Sequence, residues 1–376
     1  MMSIILLILG LILFVALVVV HEYGHFIAAR RGGVEVEEFG IGFPPQAWGK
    51  KLKSGLLLTI NWLPLGGFVK LKGEHDSATA KGSFGSAPLR TKVAIMVAGV
   101  GMNLLTAFAL LTLLALVGIP KLLPNQYTVK SDTKVISNQV LVGYVEDDSP
   151  AQKAGIQSRD RLIRVTHHDM VMPVLSADQL PNITEHAAGH RVTITVERDG
   201  KELDLKTTLR SEAEVAASKK TDNPKGYLGV SPSEYTLQRS TWSSPIVAIG
   251  LIKQFTVETF KGLGSAIWNS VRGHGKEASS QVSGPVGIFV ILKDGSLLGY
   301  QFMLMIIAVI SLTLAIMNVL PIPALDGGRL FVTILFRKVL RRPLSQELEE
   351  RIHGTGFAAL MVLFVLITIV DVKRFF

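Results

Sequence analysis

The 376-residue chain is 48% hydrophobic and 18% charged, has no cysteine and carries a net charge of +9, with a mean hydropathy of +0.38. This apolar excess excludes a disordered or collagenous chain, and the missing cysteine excludes a disulfide framework, a thiolate nucleophile and cysteine-ligated zinc. A metal site must therefore use His, Asp or Glu, and where the basic residues sit decides between nucleic acid and loops beside an anionic membrane.

Four stretches carry no charge: residues 1–20, 93–120, 297–325 and 352–370, which are 20, 28, 29 and 19 residues long. About 20 apolar residues span a bilayer, so four transmembrane helices are expected. Residues 30–92 hold ten Lys/Arg and five Asp/Glu, residues 329–351 hold six and three, and residues 119–298 hold 21 and 19. Short Lys/Arg-rich loops stay cytoplasmic, whereas long domains cross largely regardless of charge. The +9 is then a topology signal, and no nucleic-acid partner is expected.

The first span, with its flank residues 1–30, lacks a basic n-region and exceeds the roughly 7–15 residues of a signal-peptide core, so it reads as a retained helix. It ends in His21-Glu22-Tyr23-Gly24-His25. Positions i and i+4 share a helix face, so two imidazoles can converge on one ion, with Glu22 placed to move a proton. Chance would supply this pattern about 0.01 times in a chain of this composition. Glu and His at membrane depth are costly and point to function.

Residues 31–90 are expected to form a cytoplasmic-side, membrane-associated β-hairpin element. Leu56-Leu57-Leu58-Thr59-Ile60 reads as one strand and Gly66-Gly67-Phe68-Val69-Lys70 as another, at an edge. The second span, residues 91–120, includes Gly99-Val100-Gly101-Met102-Asn103.

Residues 121–232 combine a strand, a Pro150-Ala151-Gln152-Lys153-Ala154-Gly155 helix start, a further strand and an alternating Arg191–Glu197 segment before a turn at Asp199-Gly200. This arrangement resembles an extracytoplasmic PDZ-like α+β domain. The likeness places peptide-binding backbone at Tyr227, Leu228, Gly229 and Val230; a β-rich spacer without peptide binding is the alternative. One such signature is present, so a tandem pair is not expected. His167-His168 reads as a surface loop.

In residues 233–296, Ile249, Ile252, Phe260, Leu263, Ile267 and Val271 recur at helical spacing. They predict an amphipathic helix that lies on membrane lipid or packs on the preceding domain. The third span, residues 297–328, ends Asn318-Val319-Leu320-Pro321-Ile322-Pro323-Ala324-Leu325-Asp326-Gly327-Gly328. Its prolines must unwind the helix. Spans one and three run in the same direction, so Asp326 arrives at the depth of His21 and His25, and a His, His, Asp site with one open position follows. Residues 329–351 form a cytoplasmic loop and residues 352–376 the fourth helix.

Together HEYGH, the LDGG ending, Phe39-Gly40-Ile41-Gly42-Phe43-Pro44, Leu63–Val69, GVGMN and Ser283-Gly284-Pro285-Val286-Gly287-Ile288 resemble the site-two protease family of intramembrane zinc metalloproteases, above all its bacterial regulator-of-sigma-E branch. The resemblance implies an α-helical integral membrane protein of the bacterial inner membrane, with its active site near the cytoplasmic side. It implies one Zn2+ on His21, His25 and Asp326, and Glu22 as catalytic base. Asn318 and the Gly66, Gly67, Phe68, Val69 edge would position substrate. The implied substrate is a single-span membrane protein, of anti-sigma-factor type or a remnant signal peptide, already cut by an upstream first-site protease. A catalytically inactive PDZ-bearing adaptor and a metal transporter are the rival readings.

Overall fold

A computed structural model describes residues 2–198, 200–219, 221, 223–273, 277 and 283–376. The chain divides into a helical unit (residues 1–119, 126–129 and 240–376) and a β unit (residues 120–125 and 130–239).

Among the described residues, the helical unit contains four helices long and apolar enough to cross a membrane. They are α1 (Met2–Arg31), α2 (Leu89–Val117), α8 (Tyr300–Val319) and α10 (Gln346–Phe375). Glycine sets how near α1 and α2 approach: a Cβ added at Gly24 would lie 2.5 Å from the Ala98 carbonyl oxygen. Leu17 of α1, Leu292 of α7 (Pro285–Ser296) and Met303, Ile306 and Ile307 of α8 form one buried apolar cluster.

Between α1 and α2, two long bent strands, β1 (Val36–Lys51) and β2 (Leu57–Leu71), fold back along each other. The two strands expected at residues 56–60 and 66–70 belong to this single β2, because the chain stays extended between them. Glu38 to Ile41 pair with Leu57 to Ile60 on one side and with Gly67 to Lys70 on the other. Gly67 to Lys70 therefore form a margin of the sheet among the described residues.

A polar cluster joins the segments beyond this sheet. Asp76, fully buried, accepts from Lys92 Nζ, from Arg337 Nε at 2.8 Å and from the Leu344 amide at 3.1 Å. Its own N–H donates to Glu349 Oε2 at 2.8 Å. Burial pushes the Asp76 carboxyl up, but the Lys92, Arg337 and Leu344 donors outweigh it and hold the group below its usual range. Phe84 lies under the cations of Lys92 and Arg329, at 5.4 and 4.9 Å.

Helix α6 (Ser244–Val271) forms where the apolar spacing predicts it, but it packs through Val247, Ala248, Leu251 and Phe255. The expected stripe is left out of the protein core: Ile249, Phe260, Ile267 and Val271 are exposed. The helix is thus apolar on more than one face, which the single-stripe reading did not capture. Part of the region expected to follow it, at 274–276 and 278–282, lies outside the described residues.

In the β unit, β3 (Ile119–Pro120), β4 (Lys134–Val145), β5 (Arg161–His167), β6 (Met170–Pro173), β7 (Arg191–Arg198), β8 (Lys201–Thr208) and β9 (Val230–Arg239) form a seven-stranded sheet. Its order is β3-β9-β4-β5-β7-β8, with β6 beside β5. Short helices α3 (Pro150–Lys153), α4 (Gln179–Glu185) and α5 (Glu212–Ser218) complete the unit. Val140, Val142, Leu162, Val165, Val192, Ile194, Val196 and Leu228 belong to its core. Asp160 is buried and accepts from Arg198 Nε and Nη2, at 2.7 and 2.6 Å.

Three expectations change here. Residues 233–239, expected in the helical region, continue β9 because their backbone completes the ladder with β4. His167 ends strand β5 rather than lying in a loop, and its ring lies tilted against those of His168 and His190, with centroids 4.4 and 5.1 Å away. The β7–β8 hairpin forms, while Asp199 of its expected turn lies outside the described residues.

Candidate metal centre

Helical periodicity sets His21 and His25 one turn apart on α1, and their rings meet edge to face with centroids 4.8 Å apart. Gly99 of α2 makes room for both: a Cβ there would stand 2.7 Å from His21 Nε2. Any larger residue would push α2 off the imidazoles.

The third donor arrives through a break in the backbone. Helix α8 stops at Val319; Leu320, preceding Pro321, takes the extended conformation that proline imposes. Ala324 adopts φ +77°, and the chain restarts as α9 (Asp326–Ile334) with Asp326 as its first residue. An added Cβ at Gly327 or Gly328 would collide with the carbonyl oxygens of Val319 and Ile322. The glycine pair thus lets the new helix turn back against the old one and aims Asp326 at α1.

His21 Nε2 lies 3.0 Å from Asp326 Oδ2, His25 Nε2 lies 3.3 Å from it, and the two Nε2 atoms are 3.1 Å apart. Bonds of 2.0–2.1 Å in a tetrahedron require neighbouring donors about 3.3 Å apart, so this set fits one zinc ion and leaves one position free. His21, His25 and Asp326 are the one group of this kind among the described residues. His25 Nδ1 faces the Ile95 carbonyl at 2.7 Å, and His21 Nδ1 faces the Asn103 carboxamide at 3.1 Å.

Glu22, His25 and Asp326 line a cavity of about 190 Å³ together with Gly67, Phe68 and Val69 of the β2 margin, and Phe84 and Arg329. A Cβ at Gly67 would lie 3.3 Å from Glu22 Cγ. The Val69 backbone lies beside Glu22 in this lining. Gly66, at φ +103°, turns instead against the Phe43 ring. Asn318 stands on the last turn of α8, outside this lining.

The residues singled out in the β unit are placed within that unit. Leu228 sends its side chain into the core, Gly229 adopts φ +77°, and the carbonyls of Tyr227, Leu228 and Gly229 accept from the amides of Arg210, Ala151 and Glu146. Sequence reasoning passed over the individual roles of Gly99 and Asn103. Their signal was a backbone without a side chain and a carboxamide inside a charge-free span.

A buried His-Glu-His helix facing an aspartate among four membrane-length apolar helices defines a membrane-bound metallopeptidase. Residues 9–363 match the family described as Peptidase family M50, and the chain belongs to it. It is similar to the zinc metalloprotease RasP of Shouchella clausii, at 26% identity over 97% of this chain and 98% of that one. It is equally similar to a protein named Probable protease eep of Enterococcus faecalis, with the same identity and shares. The protein is a zinc metalloprotease, and His21, His25 and Asp326 are the donors in the structure that fit its Zn2+.

Proposed function

We propose that this protein cleaves single-span membrane proteins within or beside the bilayer of the bacterial inner membrane, after a first cut by another protease. Anti-sigma-factor-type proteins and remnant signal peptides are the substrate classes. The observation that carries the reading is the β2 margin: Gly67, Phe68 and Val69 share the small cavity with Glu22, His25 and Asp326. A helical substrate hides its amides, and pairing its unwound backbone with a sheet edge would present an extended peptide to the metal.

Zinc held by His21, His25 and Asp326 would supply Lewis acidity to the scissile carbonyl. Glu22 takes the proton of the attacking water and returns it to the leaving amine. The β2 margin holds the substrate backbone, and Asn318 contacts substrate farther along α8. The short basic loops favour a cytoplasmic location for the His21 end of α1. The β unit would then lie on the far side as a PDZ-like domain, binding new C-termini through Tyr227–Val230 or excluding uncut substrates. Membrane lipid covers the exposed Ile249, Phe260 and Ile267 of α6.

The test uses purified protein and a labelled single-span peptide beside the Glu22→Gln variant. Cleavage falling about 10²–10⁴-fold with zinc retained is the expected result. Equal cleavage by both forms removes Glu22 as the base. No cleavage by either supports the adaptor, and zinc movement across vesicles without cleavage supports the transporter.

A further inference from the structure

The two histidines of the metal centre are held differently. His25 Nδ1 faces a backbone carbonyl, that of Ile95, which no substitution at that residue removes. His21 Nδ1 faces a side chain, the Asn103 carboxamide, at 3.1 Å. Asn103 is fully buried in α2, inside a span with no charged residue. Its backbone oxygen accepts from Ser311 Oγ of α8 at 2.8 Å. One residue therefore connects α8, α2 and the metal-facing imidazole of α1.

A neutral imidazole carries one proton. If His21 is to offer the Nε2 lone pair that points at Asp326 and His25, its proton must sit on Nδ1, and whatever faces Nδ1 must accept. With the amide nitrogen of Asn103 turned toward Nδ1, two donors would face each other and Asn103 Oδ1 would be buried without a donor. Turning the carboxamide over removes both faults, because its orientation follows from the hydrogen bonds around it. We propose that Asn103 is a positioning residue of the metal centre: its Oδ1 accepts from His21 Nδ1–H, fixes the tautomer and holds Nε2 toward the metal. Gly99, one turn earlier on α2, clears the space into which the ring is pressed.

The proposal rests on the zinc centre and not on any substrate, so it is tested by zinc affinity in the Glu22→Gln background, through competition with a chelator. A failure to find a cleavable substrate leaves this measurement untouched. Asn103→Leu removes the acceptor and is expected to weaken zinc binding about 10–100-fold, the usual effect of losing such an outer partner. Asn103→Asp keeps an acceptor and is expected to bind zinc at least as tightly as the parent. Ser311→Ala, which loosens α8 from α2 without touching His21, is expected to leave affinity unchanged. Unaltered affinity in Asn103→Leu overturns the proposal. So does a tenfold loss in Asn103→Asp, which remains decisive if the leucine variant does not fold.

Discussion

The helical unit and the β unit bury polar groups for different ends. In the β unit buried polar groups tie strands and turns of one sheet to each other: Thr195 to Asp204 at 2.6 Å, Thr207 to the Pro150 carbonyl at 2.8 Å, and Asp160 to Arg198. In the helical unit two polar clusters tie together segments far apart in the chain, His21, His25 and Asp326 in one, and Asp76, Lys92 and Glu349 in the other. Within a bilayer no water satisfies a misplaced polar side chain. A polar side chain deep in an apolar helix thus marks a role, whereas in a sheet it more often secures the fold.

If that contrast is right, damage to the first cluster should strike chemistry alone. Asp326→Ala is expected to weaken zinc binding by more than roughly 100-fold, since loss of an outer partner alone costs 10–100-fold. Chelator competition gives the number, and the β unit should melt as before. Retained zinc would separate Asp326 from the metal.

Damage to the second cluster should strike stability. Lys92→Ala leaves buried Asp76 with Arg337 and the Leu344 amide, and is expected to cost about 3 kcal/mol, the low end for a broken buried pair. Its pH dependence has a definite sign. Asp76 is held below its ordinary range, so its stabilising contribution is full above about pH 4, where an unfolded carboxyl is ionised, and fades as pH falls through the lower folded value. Thermal melts at falling pH should show the parent losing this contribution and the variant losing less. Parallel curves would remove Asp76 from the account.

Leu228→Ala addresses the other half of the contrast. Its side chain is core, so the change should destabilise the β unit by about 2–3 kcal/mol while zinc affinity stays at the parental value. A fall in zinc affinity would couple the two units and undo the separation drawn between them.

The same contrast explains what could be read from the sequence. His21, Glu22 and His25 stand out because charge is absent for twenty residues before them, and Asp326 because two prolines force the helix to end there. The strands around residues 56–70 are legible from β-branched residues, but not their union into one bent β2, since pairing with both sides of Glu38–Ile41 is a long-range choice. The Lys92–Asp76 pair leaves no local pattern, because its members become neighbours only when α2 starts against the segment after β2. Leu228, expected as ligand-binding backbone, places its side chain in the core, which motif spacing does not reveal. On α6, the expected apolar stripe is one of two, because the packed face uses Val247, Leu251 and Phe255, a second row at i, i+4, i+8.

The smallest effect concerns the β2 margin. Val69 lies on this margin opposite Phe39 and lines the cavity with Glu22, so proline at this position removes a backbone donor of the margin. If substrate backbone adds to this margin, Val69→Pro should lower kcat/KM about tenfold, equivalent to about 1.4 kcal/mol of transition-state stabilisation. Because Val69 also lines the cavity with Glu22, the position of the loss matters. A docking role raises KM and spares cleavage of a peptide too short to pair with β2, whereas a role through Glu22 lowers kcat on short and long substrates alike. Zinc affinity should not change in either case. Full activity on the long substrate would mean that the cavity accepts its peptide without the sheet, leaving the helical unit's metal centre intact but its substrate path unassigned.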